Sequence, residues 1–145
     1  MNIGRLTRII EVLERVEQQG LTLNMEKFAT CNTSGFSACA LGYAALDTEF
    51  QEQGLLLYCT NSNQICRSIE DVNCYSQYVI RCMENNIRCN IYEYFGLNIY
   101  QLRDCFGQHG YPHIDITARD VIDKIKSIIA EYQPITQNVT QLETA

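Results

Sequence analysis

The run SACALGYAAL, residues 37 to 46, is built mostly from side chains too small to fill the space around them. Interiors are packed to crystal-like density, so a stretch of this kind folds only where something else comes close to it. Thr33 and Ser34 are good N-cap residues, Gly35 relaxes the turn, and nothing from Phe36 to Leu46 breaks a helix, so the sequence predicts a helix over 36–46. Ala38, Gly42 and Ala45 then share a face, with Ala40 and Ala44 beside it. That nearly flat face lets another backbone approach.

Residues 3–19 place Leu6, Ile9, Ile10, Leu13 and Val16 at helical spacing, with Arg5, Arg8, Glu11, Glu14 and Arg15 mostly opposite and Gly20 as the stop. LLLYC, residues 55–59, reads as a short strand. From Ile65 to Cys82 the apolar residues fall in helical order, which predicts one broken helix or two short ones over 63–85. Ile87, Cys89 and Ile91 alternate with Arg88 and Asn90, as in a strand that pairs with 55–59. Asn98 and Gln101 form a capping box ahead of a short helix that stops at Gly107. Thr117 and Asp120 open a last helix, carrying Val121, Ile122, Ile125, Ile128, Ile129 and Tyr132 inward, which Pro134 ends. The expected fold is mainly α: a compact single-domain helical fold over residues 1–133 with at most a small two-stranded β ribbon, and a flexible tail over 134–145.

With 145 residues, 46% hydrophobic and 19% charged, the chain has the composition of an ordinary globular domain. Its longest apolar stretches fall far short of the ~20 residues that a membrane span needs. The Met1 start has no basic then apolar leader, so the expected location is cytoplasmic. A net charge of −6, from 17 acids against 11 lysines and arginines, disfavours direct nucleic-acid binding, which needs clustered cations. Eight cysteines without C-x-x-C spacing, in a chain expected to stay reduced, read as small core hydrophobes rather than disulfides.

Four features are candidates for chemistry. Cys31 or Cys39 near a helix start, with His109 or His113 as base, has the residue types of a cysteine nucleophile; a packed face at Cys39 favours structure over catalysis. His109 and His113 flank Gly110 and Pro112, a turn, so no metal site and no cofactor are expected. Thr33, Ser34, Gly35 and Ser37 supply hydroxyls and backbone N–H groups for an anion at the helix start, the basis for reading the protein as a sponge for a small nucleotide. Asp47, Glu49 and Glu52 follow the small-residue helix directly, where its dipole disfavours them, and form a candidate partner-binding acidic patch.

The first helix, the LNMEKFA connector, the Cys-x-Thr-x-x-x-x-Ala-Cys-x-x-Gly-Tyr-Ala run from Cys31 to Ala44, FGLNIYQLRDCF and the last capped helix together resemble a group of small phage-encoded proteins. Their run has the form Cys-Gly-Thr-x-x-Cys-x-x-Gly-(Trp/His)-Ala. Here Asn32 stands for the glycine, the spacing between the thiols is longer, Tyr43 takes the aromatic place, and residues 55–93 look like an insertion. The resemblance covers about half of the chain and carries over no catalytic residue. It implies a viral origin and a protein that binds and blocks a host component. The expected function is therefore non-enzymatic binding: a phage accessory or counter-defence protein that inhibits a host protein. The nucleotide sponge and a cysteine-dependent enzyme are the alternatives, and a homo-oligomer stays open.

Overall fold

The structure, a computed structural model, describes residues 1–32, 35–112 and 115–144, with side chains at all of these except 109 and 133–144. Helix α1 (Ile3–Gln18) buries Leu6, Ile9, Ile10, Val12, Leu13 and Val16. The Asn2 side chain caps its first turn by accepting from the Arg5 N–H. Gly20, at φ +66°, turns the chain out of the helix as the sequence predicts.

The expected helix over 36–46 is half strand. Strands β1 (Thr22–Leu23), β2 (Ala29–Asn32) and β3 (Gly35–Ala38) form a three-stranded sheet in the order β1-β3-β2. β3 is antiparallel to β2 and parallel to β1. Only Ala40–Ala45 is helical, as α2, and its cap is Cys39, whose sulfur accepts from the Gly42 N–H. Ladder hydrogen bonds on both sides of β3 outweigh the weak helical preference of Phe36-Ser37-Ala38, a case of tertiary context overriding propensity. The close approach itself is real. A Cβ placed on Gly42 would lie 1.7 Å from the Phe28 carbonyl oxygen, so the backbone of the connector passes directly over α2.

Asp47 caps α3 (Thr48–Glu52), which leads through Gly54 into β4 (Leu55–Cys59). The helices expected over 63–85 are absent. In their place are β5 (Ile65–Cys66), one 3-10 turn at Ile69–Asp71 and β6 (Tyr78–Glu84). β7 (Ile87–Cys89) completes an antiparallel sheet in the order β5-β4-β6-β7, so β7 pairs with β6 and not with 55–59. The reason lies in Asn85 and Asn86, both at positive φ (51° and 63°), which make the two-residue turn that favours a hairpin. β6 pairs with β4 from Tyr78 to Cys82 and with β7 from Cys82 to Glu84, and its Tyr78-Val79-Ile80 run is rich in residues that favour strands.

α4 (Ile91–Phe95) ends at left-handed Gly96, and α5 (Ile99–Phe106) has the Asn98 and Gln101 capping box in both directions. α6 (Ala118–Thr144) starts with the reciprocal Thr117 and Asp120 bonds and continues past Pro134, where the sequence predicts its end. A proline removes one backbone hydrogen bond without obliging the turns beyond it to unwind. The protein is thus mixed α/β with two sheets, not a mainly helical fold with a ribbon.

The core lies between α1, α2, α6 and one face of the four-stranded sheet. Leu55, Leu57, Cys59, Cys66, Tyr78 and Cys82 point into it, and Phe95 packs edge-on to Phe50 and against Phe106. Cys39, Cys59, Cys66, Cys82 and Cys105 are buried free thiols, whereas Cys74 is exposed. Cys82 lies directly opposite Cys89 across β6 and β7. Replacing Gly42 by Ala should lower unfolding free energy by about 2 kcal/mol or more, because backbone and not a mobile side chain occupies the space. Chemical denaturation of Gly42→Ala measures it, and an unchanged midpoint would contradict the close approach.

Candidate functional site

The three acids expected to form a patch are used in different ways. Asp47 is 7% exposed and lies under α1. Arg8 forms a fork on it, Nη2 to Oδ1 at 2.8 Å and Nε to Oδ2 at 3.1 Å, and Arg15 Nη2 adds a third bond to Oδ1 at 2.8 Å. Oδ2 also accepts from the Phe50 N–H at 3.3 Å as the cap of α3. Asp47 therefore sits at the favourable, positive end of α3 rather than at the unfavourable end of α2. Burial alone would push its carboxyl up. The Arg8 and Arg15 bonds overcome that and hold it below the usual carboxylate range. Glu49 pairs with Arg8 at 2.8 Å, and Glu52 is exposed. The acids do not form a common free surface.

The thiol candidates are also placed. Cys39 is buried as the α2 cap, and burial raises its thiol to about 11, the reverse of an activated nucleophile. Cys31 is half-buried on β2. The His109 side chain and His113 lie outside the described residues, so the proposed base has no described geometry. Cys59, which sequence reasoning passed over, is the thiol lowered to about 7, through hydrogen bonds to its sulfur from Ser62 and Ser76. It is 8% exposed at the end of β4. Ser62 is three residues away, but Ser76 is brought to the sulfur only by the pairing of β4 with β6. Among the described residues no group of three His, Cys, Asp or Glu side chains is arranged to hold a metal ion.

Of the four anion candidates, Thr33 and Ser34 lie outside the described residues, while Gly35 and Ser37 belong to β3 and not to a helix start. Ser37 borders a cleft of about 330 Å³ that Glu26 and Asp115 also line, so a phosphate there meets two carboxylates.

The outer face of the four-stranded sheet carries apolar side chains that lie outside the core. Alternation sends Leu56 and Tyr58 of β4, Ile65 of β5, Val79, Arg81 and Met83 of β6 and Arg88 of β7 away from the core. Apart from exposed Arg88 they are half-buried, and the apolar ones do not pack against the core. Tyr58 is flanked by Ile65 and Val79, Leu56 faces Arg81 and Met83 faces Arg88 across the strands. The Arg81 guanidinium lies over the Tyr58 ring, 4.4 Å from its centre, and its buried Nε has no hydrogen-bond partner. At the sheet edge Ile87 is 70% exposed. The helical assignment of 63–85 hid this alternation in the sequence.

No protein-family model, curated protein or solved structure matches the chain. Among the described residues no helix is long and apolar enough to cross a membrane.

Asp47→Asn keeps an efficient helix cap but removes the charge that Arg8 and Arg15 share. It should lower stability at neutral pH by about 2 kcal/mol or more. The folded carboxyl is held below its unfolded value, so this contribution is complete above about pH 4 and is lost as pH falls through the folded value. Denaturation curves of the two proteins should converge in acid; a pH-independent gap would contradict the ion pairs. Thiol labelling of the native protein should modify exposed Cys74 first, with Cys39, Cys82 and Cys105 protected until unfolding. Rapid labelling of Cys39 would revive the nucleophile.

Proposed function

We propose that the protein is a non-enzymatic binding protein, a phage accessory or counter-defence protein that inhibits a host protein by direct contact in the host cytoplasm. The phage assignment rests on the resemblance of the Cys31 to Ala44 run and the helices around it. The observation that carries the binding reading is the outer sheet face, where half-buried Leu56, Tyr58, Ile65, Val79 and Met83 form an apolar strip outside the core. An apolar strip rimmed by polar groups is the usual mark of a protein contact, and each Å² covered contributes roughly 25 cal/mol. The contact surface is thus the sheet and not the acids at Asp47, Glu49 and Glu52, since Asp47 is inside the fold and Glu49 is engaged by Arg8.

The experiment is capture of a stoichiometric partner from host lysate with three forms of the full chain: wild type, Val79→Asp on the sheet face, and Tyr100→Ser at an exposed position of α5. Val79→Asp should lose the partner at least tenfold while remaining folded, and Tyr100→Ser should keep it. Equal capture by all three would remove the sheet face as the binding surface.

A further inference from the structure

We infer, on the reading that the outer sheet face is the binding surface, that its partner is an acidic protein segment in which carboxylates alternate with apolar side chains. The argument begins with how the chain uses its cations. Of its eight arginines, Arg5, Arg8, Arg15 and Arg119 are each held by a carboxylate. Arg67, Arg81, Arg88 and Arg103 form no ion pair with a described carboxylate. Three of those four belong to the four-stranded sheet: Arg81 and Arg88 on the outer face, and Arg67 directly after β5, at the edge opposite Arg88. None of the outward strand positions, 56, 58, 65, 79, 81, 83 and 88, is an Asp or Glu, in a chain whose net charge is −6. Charge on this face is opposite in sign to the protein as a whole.

That arrangement selects its occupant. A neutral or basic surface covering the strip would strip water from Arg81 and Arg88 and leave them unpaired, a desolvation cost that opposes binding. Carboxylates placed above them remove the cost and make charge-assisted bonds. Arg81 is prepared for this role: Tyr58 fixes the plane of its guanidinium, so little rotamer freedom remains to be lost on binding. Its Nε is buried within the chain, which leaves the terminal Nη groups of the guanidinium to meet a carboxylate. Between the arginines the surface is aliphatic, with Leu56, Ile65, Val79 and Met83 around a single ring, Tyr58. Bases of a nucleic acid stack best on several aromatic rings, and phosphate binding draws on many more cations than three, so a protein segment fits better than an oligonucleotide.

Amide chemical shifts of the isotope-labelled full chain, titrated with a short synthetic peptide alternating glutamate with leucine and tyrosine, test the inference. Shifts confined to β4, β5, β6 and β7, weakening as salt rises, are expected. A lysine analogue of the same peptide should cause none. Arg81→Glu and Arg88→Glu should each weaken binding about tenfold or more, the scale of one lost charge-assisted contact. Arg81→Met, which keeps an apolar stem over Tyr58, should weaken it in the same direction without disturbing the sheet. Absence of binding by the acidic peptide at millimolar concentration, equal binding of the lysine peptide, or binding only to oligothymidine or anionic vesicles overturns the inference. Capture from lysate separates the two readings. A partner lost with Val79→Asp but retained by Arg81→Glu and Arg88→Glu leaves the sheet face standing and removes the acidic partner. A partner retained by Val79→Asp removes the surface itself.

Discussion

The carboxylate of Asp47 meets α1, the joint between α2 and α3, and the first turn of α3 at a single buried point. Arg8 and Arg15 reach it from α1 while the Phe50 N–H reaches it from α3. A charge this deeply buried is tolerated only with its partners in place, so the pairing sets the rotation of α1 about its axis. With the arginine side of α1 turned this way, its apolar stripe goes into the core. At the other end of the same helix, Arg5 ion-pairs with Glu84, bonds to the Tyr94 carbonyl and lies over the Tyr94 ring. One helix thereby fastens the α2–α3 joint, the end of β6 and α4 by charge as well as by packing.

The same pairing decides what the surface is left with. Asp47 is drawn under α1 and Glu49 alongside it, while two of the four arginines without a described carboxylate, Arg81 and Arg88, fall on the outer sheet face. The two faces of that sheet differ because alternation along β4 and β6 is apolar on both sides. Leu55, Leu57, Tyr78 and Cys82 fill the core, while Leu56, Tyr58 and Val79 are half-buried and do not pack against it. A sheet covered on one side ordinarily carries polar residues on the other, and the departure from that rule here is what points to a partner.

Legibility in the sequence followed the range of the interactions. α1, α5 and the start of α6 were readable with their caps because the deciding bonds span three or four residues, as at Asn98 with Gln101 and Thr117 with Asp120. β4 was readable from its run of apolar residues. The helices assigned to 63–85 failed because helical spacing from Ile65 to Cys82 is also satisfied by two strands and a turn, and only pairing with β4 distinguishes them. The strand at Gly35–Ala38 failed for the same reason, since both of its partners come from outside the run itself.

For the candidate site, the local pattern alone determined that a small-residue segment must be approached by backbone, which Phe28 does over Gly42, and that thiols serve mainly as core atoms. It could not determine which charges are spent inside the fold. Asp47 and Arg8 are separated by 39 residues, Arg5 and Glu84 by 79, and the closing of such distances depends on the global packing of helices that each look complete in isolation. Burial and charge pairing are properties of the assembled chain, because desolvation begins only when distant segments meet. Tertiary structure therefore decided that Asp47 is structural and that Arg81, Arg88 and the half-buried apolar strip share the outer face of the sheet.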